Sequence, residues 1–99
     1  MIKLSICIAN TNNRAMLERA LGSVYANAPS CDYEVLVVDN DSKDGSADMV
    51  RDEFPNARLI LPGSNTGYAR GNNLAFAEAS GDWLLTLNPD TEAPMAGQV

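Results

Sequence analysis

The 99-residue sequence predicts an α/β domain, a parallel sheet with helices on both faces in the order β-α-β-α-β-α-β. Three observations carry this. Short apolar runs alternate with segments whose apolar residues recur at helical spacing. The run Val35-Leu36-Val37-Val38 is apolar on both faces, as a strand covered from each side requires. The connections between these segments are short and polar, which suits successive βαβ units.

Each element has its own warrant. Leu4 to Ala9 is a continuous apolar run apart from Ser5 and reads as a buried strand, with Cys7 as a small core residue. Leu17, Ala20, Leu21 and Val24 repeat at helical spacing and predict a helix from about Asn13 to Asn27, capped by Asn12 or Asn13, with Pro29 beyond its end. Tyr33 to Asp39 is the second strand. Asp41 to Ser46 is a polar turn, and a helix follows to about Phe54 with Ala47, Val50 and Phe54 on one face. Ala57 to Leu61 is a short third strand, and 62–67 a loop. A third helix is predicted from Tyr68 to Ser80, with Ala69, Asn73, Phe76 and Ala77 on one face and Gly81 as its stop. Asp82 to Leu87 is the fourth strand. No repeat, low-complexity tract or linker divides the chain, so residues 1–99 read as one unit.

Composition excludes several function classes. The net charge is −6, and the seven Lys and Arg are scattered, so there is no basic patch for a nucleic acid. A phosphate remains a suitable ligand, because backbone amides and a metal hold it without a basic surface. The chain has no His, which removes Ser-His-Asp and Cys-His catalysis and His-ligated metals. Cys7 and Cys31 have neither ligand nor redox spacing. No apolar run is long enough for a signal peptide or a membrane span. The expected location is cytoplasmic, including the inner face of a membrane as a peripheral protein.

Four polar segments stand where strands end or helices begin, the ligand end of an α/β sheet. Asn10-Thr11-Asn12-Asn13-Arg14 contains no Gly, so it is neither a dinucleotide fingerprint nor a P-loop. Its amides suit a base or a ribose, or equally a turn and a helix cap. In Asp39-Asn40-Asp41-Ser42, Asp39 is expected to point into the crevice and accept from ribose hydroxyls or a base N–H, while Asp41 or Ser42 caps the next helix. Asn40-Asp41-Ser42 also fits a glycosylation acceptor pattern. In Asn65-Thr66-Gly67-Tyr68-Ala69-Arg70-Gly71-Asn72-Asn73, the two glycines are costly in a helix and imply close backbone approach to another element or a ligand. Arg70 opposes the helix dipole there, unless it faces a diphosphate or is simply solvated. Finally, the strand Leu84-Leu85-Thr86-Leu87 stops at Asn88-Pro89-Asp90-Thr91. Asp90 suits a hard, oxygen-bound cation bridging a diphosphate, while on local sequence Asn-Pro-Asp more readily forms a turn.

Taken together and in order, these segments resemble the amino-terminal, nucleotide-binding half of a family 2 glycosyltransferase with the A-type fold. The resemblance runs from Leu4 to about Thr91. Asn10-Thr11-Asn12 stands where that family has a Thr-Tyr-Asn-type loop, without its aromatic residue. Val37-Val38-Asp39-Asn40-Asp41-Ser42-Lys43-Asp44-Gly45-Ser46 is close to the family's Val-Val-Asp-Asn-Gly-Ser-Thr-Asp-Gly-Ser, and 65–73 to its Asn-x-Gly-Phe-Ala-x-Gly-Asn-Asn. Asn88-Pro89-Asp90 replaces the common Asp-x-Asp, as in a subset similar to rhamnosyl- and galactofuranosyl-transferases.

The resemblance implies a Rossmann-like donor-binding segment that lacks the acceptor half. It implies transfer of a sugar, with inversion, from a nucleoside-diphosphate sugar (a UDP- or dTDP-sugar) to a saccharide or lipid-linked acceptor hydroxyl in polysaccharide or glycoconjugate synthesis. The implied nucleotide-binding residues are Asn10, Asn12, Asp39, Asn40, Asn65, Gly67, Arg70 and Asn73. Asp90, with Asn88, is implied to hold Mg²⁺ or Mn²⁺, and the general base is expected beyond this chain, so the 99 residues alone are expected to be inactive. The competing readings are a sugar-phosphate nucleotidyltransferase-like domain, which wants a Gly-rich basic loop absent after the first strand, and a non-catalytic or inactive α/β fragment.

Overall fold

The computed structural model describes residues 1–87. Strand β1 (Leu4–Asn10) lies at the centre of the sheet. It pairs in parallel with β2 (Tyr33–Asp39), from Leu4 opposite Tyr33 to Asn10 opposite Asp39. On its other side it pairs with β4 (Trp83–Leu87), from Leu4 opposite Trp83 to Ile8 opposite Leu87. A short β3 (Arg58–Ile60) completes the order β3-β2-β1-β4 along Leu36 to Val38 of β2.

The helices α1 (Arg14–Ala26), α2 (Ser46–Glu53) and α3 (Tyr68–Glu78) form the connections. Because side chains alternate along a strand, β1 and β2 feed two separate cores. Ile6, Ile8, Val35 and Val37 pack with Leu17, Leu21 and Val24 of α1 and with Met49 and Val50 of α2. On the opposite face Cys7, Leu36 and Val38 meet Ala75 of α3. The predicted double-sided parallel sheet is therefore present. Successive strands run outward from β1 to β3 and then return to the far side of β1. The chain thus changes direction between β1 and β4, and the carboxyl ends at such a reversal are where α/β sheets bind their ligands.

Several expectations need correction. Helix α3 does not turn Ala69, Asn73 and Ala77 inward; these are exposed, and the buried residues are Gly71, Asn72 and Ala75. Small residues set this face because α3 lies close to the sheet. A Cβ on Gly71 would sit 3.0 Å from Asn40 Nδ2 and 3.1 Å from Ala9 Cβ. Helix α3 ends at Glu78 rather than Ser80, and Gly81 is not a left-handed stop. It is a point of close approach, where a Cβ would lie 2.6 Å from Ser5 Oγ. The inward face of α2 is Ser46, Met49 and Val50, with Phe54 packed against the same core as expected, while Ala47 is only half-buried.

The opposite end of the sheet is closed by Glu34. Its Oε2 accepts from Ser5 Oγ at 2.6 Å and from the Ser80 N–H at 2.7 Å, and Ser5 Oγ accepts from the Gly81 N–H at 2.8 Å. Burial pushes the Glu34 carboxyl up, but these hydrogen bonds and nearby Arg58 outweigh it and hold it below its ordinary value. Cys7 is fully buried, as expected of a core residue, and burial, with the Glu34 charge, raises its thiol to about 11. At the sheet edge, Trp83 and Leu84 of β4 are 69% and 50% exposed. Among the described residues, no helix is long and apolar enough to cross a membrane.

Candidate functional site

At the carboxyl ends of β1 and β2 two register partners, Asn10 and Asp39, point to the same face. They are 1% and 3% exposed, unusual for polar side chains. The Asn10 Nδ2 donates to Asp39 Oδ1 at 3.0 Å. Ser42 Oγ donates to the same oxygen at 2.7 Å, and the Ser42 N–H to Oδ2 at 3.1 Å. A carboxylate is acceptor-only, so it tolerates burial when donors converge on it as here.

The two loops are stitched together around this pair. The Asn12 N–H donates to Ser42 Oγ at 2.8 Å, and Asn12 Oδ1 accepts from the Lys43 N–H at 2.7 Å. Asn12 and Asp41 have φ of 51° and 55°, a left-handed conformation that Asn and Asp tolerate better than other side chains. Asp44 joins the two helices that follow. Its Oδ2 accepts from the Arg14 N–H at 2.9 Å and its Oδ1 from the Ser46 N–H at 3.1 Å. Neither expected local cap is therefore made: Asn13 forms no cap bond to α1, and Gly45 rather than Asp41 or Ser42 precedes α2.

Asn40 faces the other side of the sheet. Its Oδ1 accepts from Thr66 Oγ1 at 2.6 Å and from the Thr66 N–H at 3.2 Å, tying the loop before α3 to the end of β2. At 1% exposed, Asn40 is closed to glycosylation, so its acceptor pattern is a coincidence of sequence. Asn65 Oδ1 accepts from the Gly67 N–H at 2.9 Å and shapes the turn into α3. No side chain caps that helix, no acidic residue lies in its first turn, and Arg70 is exposed there.

The structure thus brings Asn10, Asn12, Asp39 and Asn40 together at one end of the sheet, with Gly71 packing the start of α3 against Asn40. Asn65, Gly67 and Arg70 belong to the entry of α3, while Asn73 is exposed on that helix and its neighbour Asn72 is 7% exposed instead. Ser42, Asp44 and Thr66 were missed as organisers of the site, since each acts on a residue at least 26 positions away. Two buried oxygens, Asn10 Oδ1 and Asn72 Oδ1, have no hydrogen-bond partner among the described residues. The expected metal ligands Asn88 and Asp90 lie outside the described residues. Among those described, no group of three or more potential ligands is assembled. Strand β4 delivers the chain to Leu87, opposite Ile8 at the carboxyl end of the sheet.

Residues 5–96 match the family described as glycosyl transferase family 2. The chain is 34% identical over 87 residues to an N-acetylglucosaminyl-diphospho-decaprenol L-rhamnosyltransferase of Mycobacterium tuberculosis, covering 77% of this chain and 28% of that protein. Its fold superposes on residues 1–349 of S. aureus TarS in complex with UDP with a TM-score of 0.81, at 25% identity over 90% of this chain and 28% of that one. It superposes equally, with a TM-score of 0.81, on a mannosyltransferase of Pyrobaculum calidifontis in complex with GDP-Man and Mn²⁺, at 26% identity over 94% of this chain and 29% of that one. The chain spans less than a third of the length of these relatives. The sheet and helices are those of the A-type glycosyltransferase neighbours.

Proposed function

The chain belongs to glycosyl transferase family 2, and on that premise we propose that it forms the donor-binding part of an inverting sugar transferase. The carrying observation is the convergence of Asn10, Asn12, Asp39 and Asn40 at the carboxyl ends of β1 and β2, beside the reversal of strand order. Solved neighbours hold UDP and GDP-Man, and this supports a nucleoside-diphosphate sugar as the donor; within that class the reading is a UDP- or dTDP-sugar.

In this reading the nucleoside seats over the ends of β1 and β2. The diphosphate lies toward the start of α3, where Asn65 and Gly67 shape the backbone and exposed Arg70 supplies positive charge. Asp90, with Asn88, would hold Mg²⁺ or Mn²⁺, and the mannosyltransferase bound to Mn²⁺ supports a cation. When bound, that cation neutralises charge on the departing diphosphate. The acceptor hydroxyl, on a saccharide or lipid-linked carrier, is deprotonated by a general base from outside these 99 residues. The protein works at the cytoplasmic side, in polysaccharide or glycoconjugate synthesis.

Two substitutions separate the roles. Asp39→Ala weakens UDP binding with or without Mn²⁺, whereas Asp90→Ala removes only the Mn²⁺-dependent part. Equal losses for both variants in metal-free buffer would contradict the assignment.

A further inference from the structure

The amino-terminal end of the sheet, away from Asn10 and Asp39, carries two grooves that the donor site does not use. Strand β3 pairs only with Leu36 to Val38, so the first half of β2 has no strand beside it on that side. There Tyr33, Val35 and Asn56 line a groove of about 300 Å³, with Tyr25 as a further wall. A second groove of about 250 Å³ shares Tyr25 and Asn56 with the first and is walled by Glu53, Phe54 and Pro55. Three aromatic rings therefore meet at one place. Tyr25 and Phe54 lie nearly parallel, 12° apart with centroids at 5.8 Å, and Tyr33 is inclined to Tyr25 by 48° at 6.2 Å. A parallel pair with an inclined third ring makes a corner rather than a flat platform. The charge at this corner is negative. Glu53 stands exposed at its rim, and Glu18 and Asp52 add negative charge beside it, opposed by Arg14. The Glu34 carboxylate is committed elsewhere, to Ser5 and Ser80, so Glu53 is the free anion of the corner.

We propose that this aromatic corner is a binding site for an alkylated ammonium group, held against Tyr25, Tyr33 and Phe54 with Glu53 as its counter-charge. It is a second site, and it stands whether or not the donor-site reading holds. The face of an aromatic ring is negative and attracts a cation set against it. An anion is repelled by the rings and by Glu53 alike, and a neutral apolar ligand gains nothing from Glu53. A compact, strongly hydrated ammonium or metal ion keeps its water, whereas alkyl groups on the nitrogen shed it readily and match the apolar ring surfaces.

A ¹⁵N spectrum of the full chain titrated with choline tests this, with the uncharged isostere 3,3-dimethylbutan-1-ol as the second arm. The expected result is millimolar choline binding, with shifts confined to the segments around Tyr25, Tyr33, Phe54 and Asn56. The alcohol should bind about fivefold more weakly, the scale of a partly desolvated cation–π contact. Glu53→Gln, an exposed substitution, should weaken choline about threefold and leave the alcohol unchanged. Tyr25→Leu should abolish the preference for choline over the alcohol, and Tyr25→Phe, which keeps the ring, should retain it. Saturation with UDP should leave choline binding as it was. Equal binding of choline and the alcohol to the wild-type chain would reduce the corner to an apolar groove and overturn the proposal. Shifts elsewhere on the chain, or none at all, would also overturn it. Choline binding unaltered by Glu53→Gln would overturn the counter-charge, whether or not Tyr25→Leu folds.

Discussion

Asp44 connects the amino ends of two helices through one carboxylate, and removing it should cost more than a single surface cap. Its two oxygens accept from the Arg14 N–H at the start of α1 and the Ser46 N–H at the start of α2. Neither helix has a side-chain bond from its own N-cap residue, and α1 has no acidic residue in its first turn. An N-cap is worth roughly 1 kcal/mol, so Asp44→Ala should lose about 2 kcal/mol. For a domain of this size that lowers the melting temperature by roughly 10 °C. The loss should also depend on pH. Burial pushes the Asp44 carboxyl up, but hydrogen bonds from the Ser46 hydroxyl and the Arg14 and Ser46 amides outweigh it and hold it below its ordinary 3.8. A depressed folded value contributes stability that is fully present above 3.8 and fades as pH falls through the lower folded value. Urea unfolding followed by circular dichroism should therefore show a gap between wild type and Asp44→Ala at neutral pH that narrows in acid. Asp44→Asn, which keeps one acceptor, should fall between them. A neutral-pH gap under about 0.5 kcal/mol, the range of an ordinary surface substitution, would refute the two-helix cap. A gap undiminished in acid would refute the carboxylate's part in it.

Other perturbations probe the frame that holds the site. Val37 is fully buried on β2, with strands on both sides, so Val37→Asp places an uncompensated charge in the core at a cost of about 3–5 kcal/mol. That approaches the whole stability of a small domain, and amide resonances should collapse to random-coil dispersion; an unchanged spectrum would remove Val37 from the core. Gly81→Ala drives a Cβ to 2.7 Å from the Ser5 backbone N, which yields less than a side chain does. Overpacking of this kind costs roughly 1–3 kcal/mol, and a melting temperature equal to wild type would show that the turn relaxes freely.

Much of this frame was legible in the sequence. The run from Tyr33 to Asp39 gave β2 its observed bounds, because a strand buried on both faces leaves little choice of residue. The large aliphatic residues Leu17, Leu21 and Val24 likewise marked the inward face of α1. Helix α3 misled because alanines and asparagines occur on either face; its orientation is set by the absence of a side chain at Gly71, visible only once Ala9 and Asn40 are in place. The polar residues of the site were placed at the correct strand ends, but their partners were not. Asn12 looked like a local cap and instead holds Lys43, while Arg14 finds its cap in Asp44, 30 residues along the chain. Such bonds follow from the register of β1 against β2, which local sequence patterns do not specify.

The central claim is that the ends of β1 and β2 form a nucleotide site with the start of α3. A ¹⁵N spectrum of the chain titrated with UDP, dTDP and GDP, with and without Mg²⁺, tests it most directly. The expected shifts are confined to the segments around Asn12, Asp39, Arg70 and Asp90, with the Asp90 segment responding only when Mg²⁺ is present. A dispersed spectrum that no nucleotide perturbs would contradict it.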